Sequence, residues 1–182
     1  MATPLFITTD DVVKYTALNG NTDTDKYIQF CLIAQEIHIQ NYLGTDLYDK
    51  IAADIVASTL VGNYLSLVTD YIKPMLIHFA MMEYLPFSAY TIANKGVYKH
   101  SSENSINVEK NEIDFLIEKE RDIAEHYVQR FIKYICNNTT LFPEYSTNTG
   151  EDMRPDKNAV FSGWMLDNNS DRDRYDYENL EL

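Results

Sequence analysis

Apolar residues recur every three or four positions along most of this chain, which is the spacing of one face of an α-helix. Thr8-Thr9-Asp10-Asp11 offers capping side chains and acids for a first helical turn, with Val12, Val13, Tyr15 and Leu18 behind it and a stop at Asn19-Gly20. A second helix is predicted from about Asp23. It carries two adjacent stripes, Ile28/Leu32/Gln35/Ile39/Tyr42 and Tyr27/Cys31/Ala34/His38, and ends at Gly44. Thr45-Asp46 is read as the cap of a third helix bearing Leu47, Ile51, Ile55 and Val56. A long pattern then runs from Asn63 through Tyr64, Leu67, Val68, Tyr71, Ile72, Met75, Leu76, Phe79 and Met82 to Pro86. Pro74 lies inside it, where a kink or break is expected, because proline removes one hydrogen bond and crowds the preceding turn.

The periodicity changes after Phe87. Tyr90 and Ile92 precede, and Val97 and Tyr98 follow, the turn signal Asn94-Lys95-Gly96, so a β-hairpin or an ordered protruding loop is predicted. The clearest helix spans 109–137, with Ile113, Leu116, Ile117, Ile123, Ala124, Tyr127, Val128, Phe131, Ile132 and Ile135 on one stripe. Beyond Thr140 the period is lost. The reading is therefore mainly α: a bundle of about four to five helices over 1–140, a short hairpin or loop insertion, and an extended C-terminal arm over 141–182.

The arm holds ten acidic and four basic residues, a net of −6 out of −13 for the whole chain. Such a stretch buries too little to fold alone. Yet large apolar clusters persist in it: Phe142 with Tyr145, then Phe161, Trp164, Met165 and Leu166. An arm that orders on a partner fits both facts. The plainer alternative is that it packs back on its own helices. On the docking reading, a chain cut at residue 140 would keep a folded core.

Composition narrows the function. At 182 residues, 45% hydrophobic and 13% aromatic, the chain is globular, with 14 Tyr against 8 Phe and 1 Trp. Tyrosine, an apolar ring with a polar tip, is favoured where proteins meet. A net charge of −13 argues against gripping nucleic acid through a general basic surface. Cys31 and Cys136 lack metal-type spacing and sit in apolar patterns, so both are read as buried free thiols. The N-terminus has no basic and apolar leader pattern, and the most apolar window, 75–87, is too short to span a bilayer.

Catalytic chemistry is hard to place, and an enzyme is not expected. Asp122 and His126 are an i, i+4 pair that could share a metal on a helix face, but the Glu-x-x-His pairs of a helical di-metal site are missing. His-Glu-x-x-His, Gly-x-Ser-x-Gly and phosphate-loop patterns are missing too. A Cys31/His38 dyad would need a third group and an open cleft. No cofactor or metal is expected, and the histidines are read as surface or core residues.

Several segments together resemble one family: Leu5-Phe6-Ile7-Thr8, then AQEIHIQNYLGTDLY over 34–48, Tyr71-Ile72-Lys73-Pro74-Met75-Leu76, Tyr84-Leu85-Pro86-Phe87, and a Lys-Gly turn followed by one long helix. In this order they look like the head-to-tail connector (adaptor) proteins of tailed bacteriophages, nearest to those of Bacteroidetes-type hosts, including crAss-like phages. The resemblance covers about 5–140. It implies a helical virion protein at the head-tail interface, twelve copies of which form a ring under the portal protein, with genomic DNA passing through without specific binding. It also implies contacts with neighbouring copies and with adjacent tail or ring proteins. Asn94, Lys95, Gly96, Tyr98 and Lys99 would form the subunit contact loop, and Phe142, Tyr145, Phe161, Trp164, Met165 and Leu166 the docking arm. The competing reading from another class is a small acidic helical regulator that sequesters a host protein.

Overall fold

The computed structural model describes residues 4–88, 90–93, 96–99, 110–150 and 152–157. It is mainly α-helical: seven α-helical segments join into five rods, accompanied by a two-stranded antiparallel hairpin. Helix α1 (Thr9–Tyr15) opens with a capping box, in which the Thr8 hydroxyl accepts from the Asp11 amide and the Asp11 carboxylate accepts from the Thr8 amide. It closes earlier than Asn19-Gly20, because the Thr16 hydroxyl bonds back to the Val12 carbonyl while Thr16 itself turns extended.

The second rod comprises α2 (Ile28–Ala34), a π-helical turn (Gln35–Ile39) and α3 (Gln40–Leu43), ending at Gly44 as the sequence predicts. Gln35 lies fully buried on it and anchors the N-terminal segment. Its Oε1 accepts from the Phe6 amide at 2.8 Å, and its Nε2 donates to the Pro4 carbonyl and the Tyr48 hydroxyl, both at 2.9 Å. With every polar atom partnered, the amide avoids the desolvation cost of an orphaned group and seats Phe6 against Tyr48, ring centroids 5.1 Å apart.

Helix α4 (Thr45–Ala57) buries Leu47, Tyr48 and Ile51 but leaves Val56 exposed, off the stripe assigned to it from sequence. The chain then bends by 104° into the rod made of α5 (Gly62–Leu67), a second π-turn (Val68–Ile72) and α6 (Lys73–Tyr84). Of the kink or break expected at Pro74, no break occurs. The π-turn just before it widens the helix where the proline ring would press on the carbonyl four residues back, and the rod continues. Helix α6 is buried on nearly every side, from Met75 to Tyr84, and is the axis of the core. Among the described residues no single helix is long and apolar enough to cross a membrane.

Strands β1 (Tyr90–Ala93) and β2 (Gly96–Lys99) pair in the register Tyr90↔Lys99 to Ala93↔Gly96, which leaves a two-residue connection at 94–95. Helix α7 (Lys110–Asn137) packs on α6 through Ala124, Val128, Phe131 and Ile135. His38 and His78 brace α6 from both sides. His38 meets Glu83 at 2.8 Å and stacks on Phe79, and His78 meets Glu120 at 2.7 Å and stacks on Tyr127.

The segment after residue 140 corrects the sequence reading most. Two 3-10 turns, Thr139–Leu141 and Pro143–Ser146, fold it back onto the helices. Phe142 is 0% exposed, edge-on to Tyr64 at 5.4 Å, and Tyr145 is buried edge-on to Phe131 at 6.3 Å. The Tyr64 hydroxyl donates to Glu144 at 2.6 Å. Phe142 and Tyr145 are thus core residues and not members of a docking arm, and 141–150 and 152–157 belong to the helical body. Local sequence hides this because two irregular turns carry no period. Cys136 is also corrected: it is exposed, next to the core residue Ile135, while Cys31 is buried and its thiol pKa is pushed up to about 11 by that burial.

The core role of residue 142 has a direct test. Phe142→Ala should cost about 3–5 kcal/mol in denaturant unfolding. Tyr145→Phe should be neutral or slightly stabilising, because the Tyr145 hydroxyl is buried without a hydrogen-bond partner among the described residues. Equal, small effects from both would place the two rings outside the core.

Candidate assembly surface

Gly44 sits at the corner between α3 and α4 with φ +72°, a conformation that disfavours residues with a Cβ. A Cβ there would also lie 2.7 Å from Pro155 Cδ. The corner is open for a reason: residues 147–150 and 152–156 lie across it as a strap. The Thr147 hydroxyl donates to Asp46 at 2.7 Å, and the Thr149 amide and hydroxyl donate to the same carboxylate at 3.0 and 3.1 Å. The Thr45 amide donates to the Met153 carbonyl at 3.0 Å, the Thr45 hydroxyl to Asp152 at 2.8 Å, and the Asp156 amide to the Asn41 carbonyl at 2.8 Å. Thr45 and Asp46 look like helix caps in the sequence. Here they begin α4, with Gly44 at the N-cap, and their side chains hold the strap. Hydrogen bonds from Thr147 and from the Thr149 amide hold the Asp46 carboxyl below its usual range. Beside Asn41, burial raises the Tyr42 hydroxyl pKa, and the Asp156 and Glu125 carboxylates add to the effect.

The first half of α7 is less covered than the second. Every residue from 110 to 123 is exposed or half-buried, a stretch of about 20 Å of helix. Phe115 is 56% exposed and Leu116 45%, and Ile123 is exposed as well. The sequence stripe assigned Leu116 and Ile123 to the core; Ile117 does pack against it and Glu120 meets His78, but Leu116 and Ile123 stay exposed beside them. Phe115, off the predicted stripe, was missed, since nothing local distinguishes a ring pointing at solvent from one awaiting a partner.

The hairpin lies next to this region in the chain. Leu85–Phe87, just before it, packs on α7, and Tyr90 at its base is half-exposed. Of the predicted contact loop, Gly96, Tyr98 and Lys99 fall on β2, while Asn94 and Lys95 lie outside the described residues. Phe161, Trp164, Met165 and Leu166 lie outside them too.

Among the described residues no three His, Cys, Asp or Glu side chains group as metal ligands. Open clefts are present among the described residues. One of about 650 Å³ lies between 21–26 and the hairpin base, lined by Phe30, Tyr84 and Phe87; another of about 450 Å³ lies beside the second π-turn, lined by Lys73, His78 and Arg130. In the second, Lys73 pairs with Asp11 at 2.9 Å. Burial raises the Asp11 pKa, but the Thr8 amide and the Lys73 contact outweigh it, so the carboxyl lies below its ordinary value.

Fold and surface together define a mainly α-helical protein with a strapped corner and a half-exposed helix preceded by a hairpin. The chain belongs to the family of unknown function DUF6712, whose family model matches residues 39–154. That span starts at the end of the first π-turn and ends within the strap, so Gly44, Asp46, Thr147, Thr149 and Met153 fall inside it, while Pro155 lies one residue beyond. No curated protein matches the chain, and no solved structure does.

The corner makes two predictions. Gly44→Ala should lower thermal stability and expose 147–157 to proteolysis; adding Pro155→Ala should recover the steric part only, since the positive φ remains. An unchanged melting temperature in the single variant would contradict the close approach. Asp46 supplies the pH dependence. Its pKa is lowered on folding, so its contribution is fully present above the ordinary value of 3.8 and is lost as pH falls through the lower folded value. Asp46→Asn should remove that acid-side dependence of strap protection, measured by proteolysis across the pH range.

Proposed function

We propose that this chain is a head-to-tail connector (adaptor) subunit of a tailed bacteriophage, a structural protein that forms a ring between portal and tail and lines the DNA channel. The observation that carries the reading is the first half of α7, where Phe115 and Leu116 lie in solvent, in a chain that also carries the β1–β2 hairpin before it. Rings close by repeating one heterologous contact between identical subunits, and exposed apolar side chains on a helix together with a hairpin suit such a contact. The order of segments that resembles connector proteins supports it as well, including AQEIHIQNYLGTDLY, which forms the first π-turn and the Gly44 corner.

In this reading Phe115, Leu116 and the hairpin residues Asn94, Lys95, Gly96, Tyr98 and Lys99 meet the neighbouring copy. Lys95 and Lys99 would face an acidic surface, given the net −13. The residues after 157, with Phe161, Trp164, Met165 and Leu166, reach the portal or an adjacent ring in the assembled particle. The acidity suits a channel past which DNA slides without sticking.

Assembly tests the proposal. Co-expressed with its portal, the wild-type chain should yield ring-bearing particles in electron micrographs. Phe115→Asp/Leu116→Asp, and separately Lys95→Glu/Lys99→Glu, should abolish or weaken rings while leaving helical circular dichroism unchanged. Rings of normal yield from both variants would refute the assigned contact. Tight, salt-sensitive binding of the purified protein to duplex DNA would contradict the channel role.

A further inference from the structure

The strap runs in a definite direction. Thr147 and Thr149 sit on Asp46, Met153 on Thr45, Pro155 against Gly44, and the Asp156 amide on the Asn41 carbonyl. Each later strap residue meets an earlier helix residue, so the strap travels antiparallel to the second rod, towards its N-terminus. The Asn41 side chain itself donates to the Ile37 carbonyl, one turn further along. On that course lie two exposed apolar side chains four residues apart, Ile37 at 52% and Ile33 at 36%. From Asn41 to Ile33 the rod rises about 12 Å. Four residues beyond Lys157 span at most about 13 Å, which puts both Ile37 and Ile33 within reach of Phe161.

We propose that the Ile33–Ile37 face is the resting site of the chain's own 161–166 segment, FSGWML. The occupant is the same chain, because the strap delivers the segment to this face over only a few residues, at an effective concentration that a second copy does not match. Phe161 and Trp164 cover the two isoleucines, removing apolar surface on both sides from water. The proposal stands on the strap geometry and not on the connector reading. If both hold, the segment leaves this face to reach its partner in the particle, and a free subunit keeps its docking residues covered.

Trp164, the sole tryptophan, reports on this directly. In dilute full-length protein its emission should be that of a shielded indole, independent of protein concentration and protected from acrylamide. Ile33→Asp/Ile37→Asp should shift the emission to that of the unfolded chain while circular dichroism is unchanged. As an independent readout, Ile37→Cys/Phe161→Cys in a Cys136→Ser background should oxidise to a disulfide within one chain, migrating as a monomer without reductant. Three results would overturn the proposal: solvent-type emission from the wild type, shielded emission that survives both Asp substitutions, or shielding that appears only as concentration rises. Failure of the cysteine pair to close within one chain would overturn it as well. Ring formation is not read in any of these measurements, so their outcome is separable from that of the connector proposal.

Discussion

The close approach of Pro155 to Gly44 is the constraint on which the rest of the arrangement depends. It requires a residue without a Cβ at a corner that also needs positive φ. That corner turns α3 into α4 and presents Thr45 and Asp46 as acceptors and donors for the strap. With the strap held there, Phe142 and Tyr145 are drawn between α5 and α7, and the core closes around α6. Residues more than a hundred positions apart in sequence are joined by a handful of hydrogen bonds and one steric fit.

The periodic parts of this fold were legible in the sequence. The existence of α4, the bounds of α7, the stop at Gly44 and the hairpin around Asn94-Lys95-Gly96 follow from turn residues and spacing. What escaped was non-local. Phe142 and Tyr145 read as an arm because 3-10 turns have no period, and their partners Tyr64 and Phe131 are distant in sequence. Thr45 and Asp46 read as caps because their alternative partners lie beyond residue 140. Leu116 and Ile123 lie on the predicted stripe with Ile117, but a stripe says which side faces the bundle, not how much of that side is covered. The π-turn before Pro74 preserves a rod where local rules expect a break.

Two regions of the molecule divide the work in the proposed assembly. The strapped corner is internally satisfied, whereas the first half of α7 leaves a phenylalanine and a leucine in water. An exposed apolar helix is costly for a monomer and useful to a subunit awaiting a neighbour. Acidity does not decide the fold; it bears on what such an assembly repels. The residues after 157 carry the remaining large apolar side chains, and the strap determines where on the body they begin.

Hydrogen exchange read by mass spectrometry tests the strapped corner most directly. Thr149, Met153 and Asp156 donate their amides to Asp46, Thr45 and Asn41 across it. The account predicts that peptides covering 147–157 are protected in the isolated subunit at a level comparable with α3 and α4. Exchange of 147–157 at the rate of a free peptide, with the helices still protected, would contradict it.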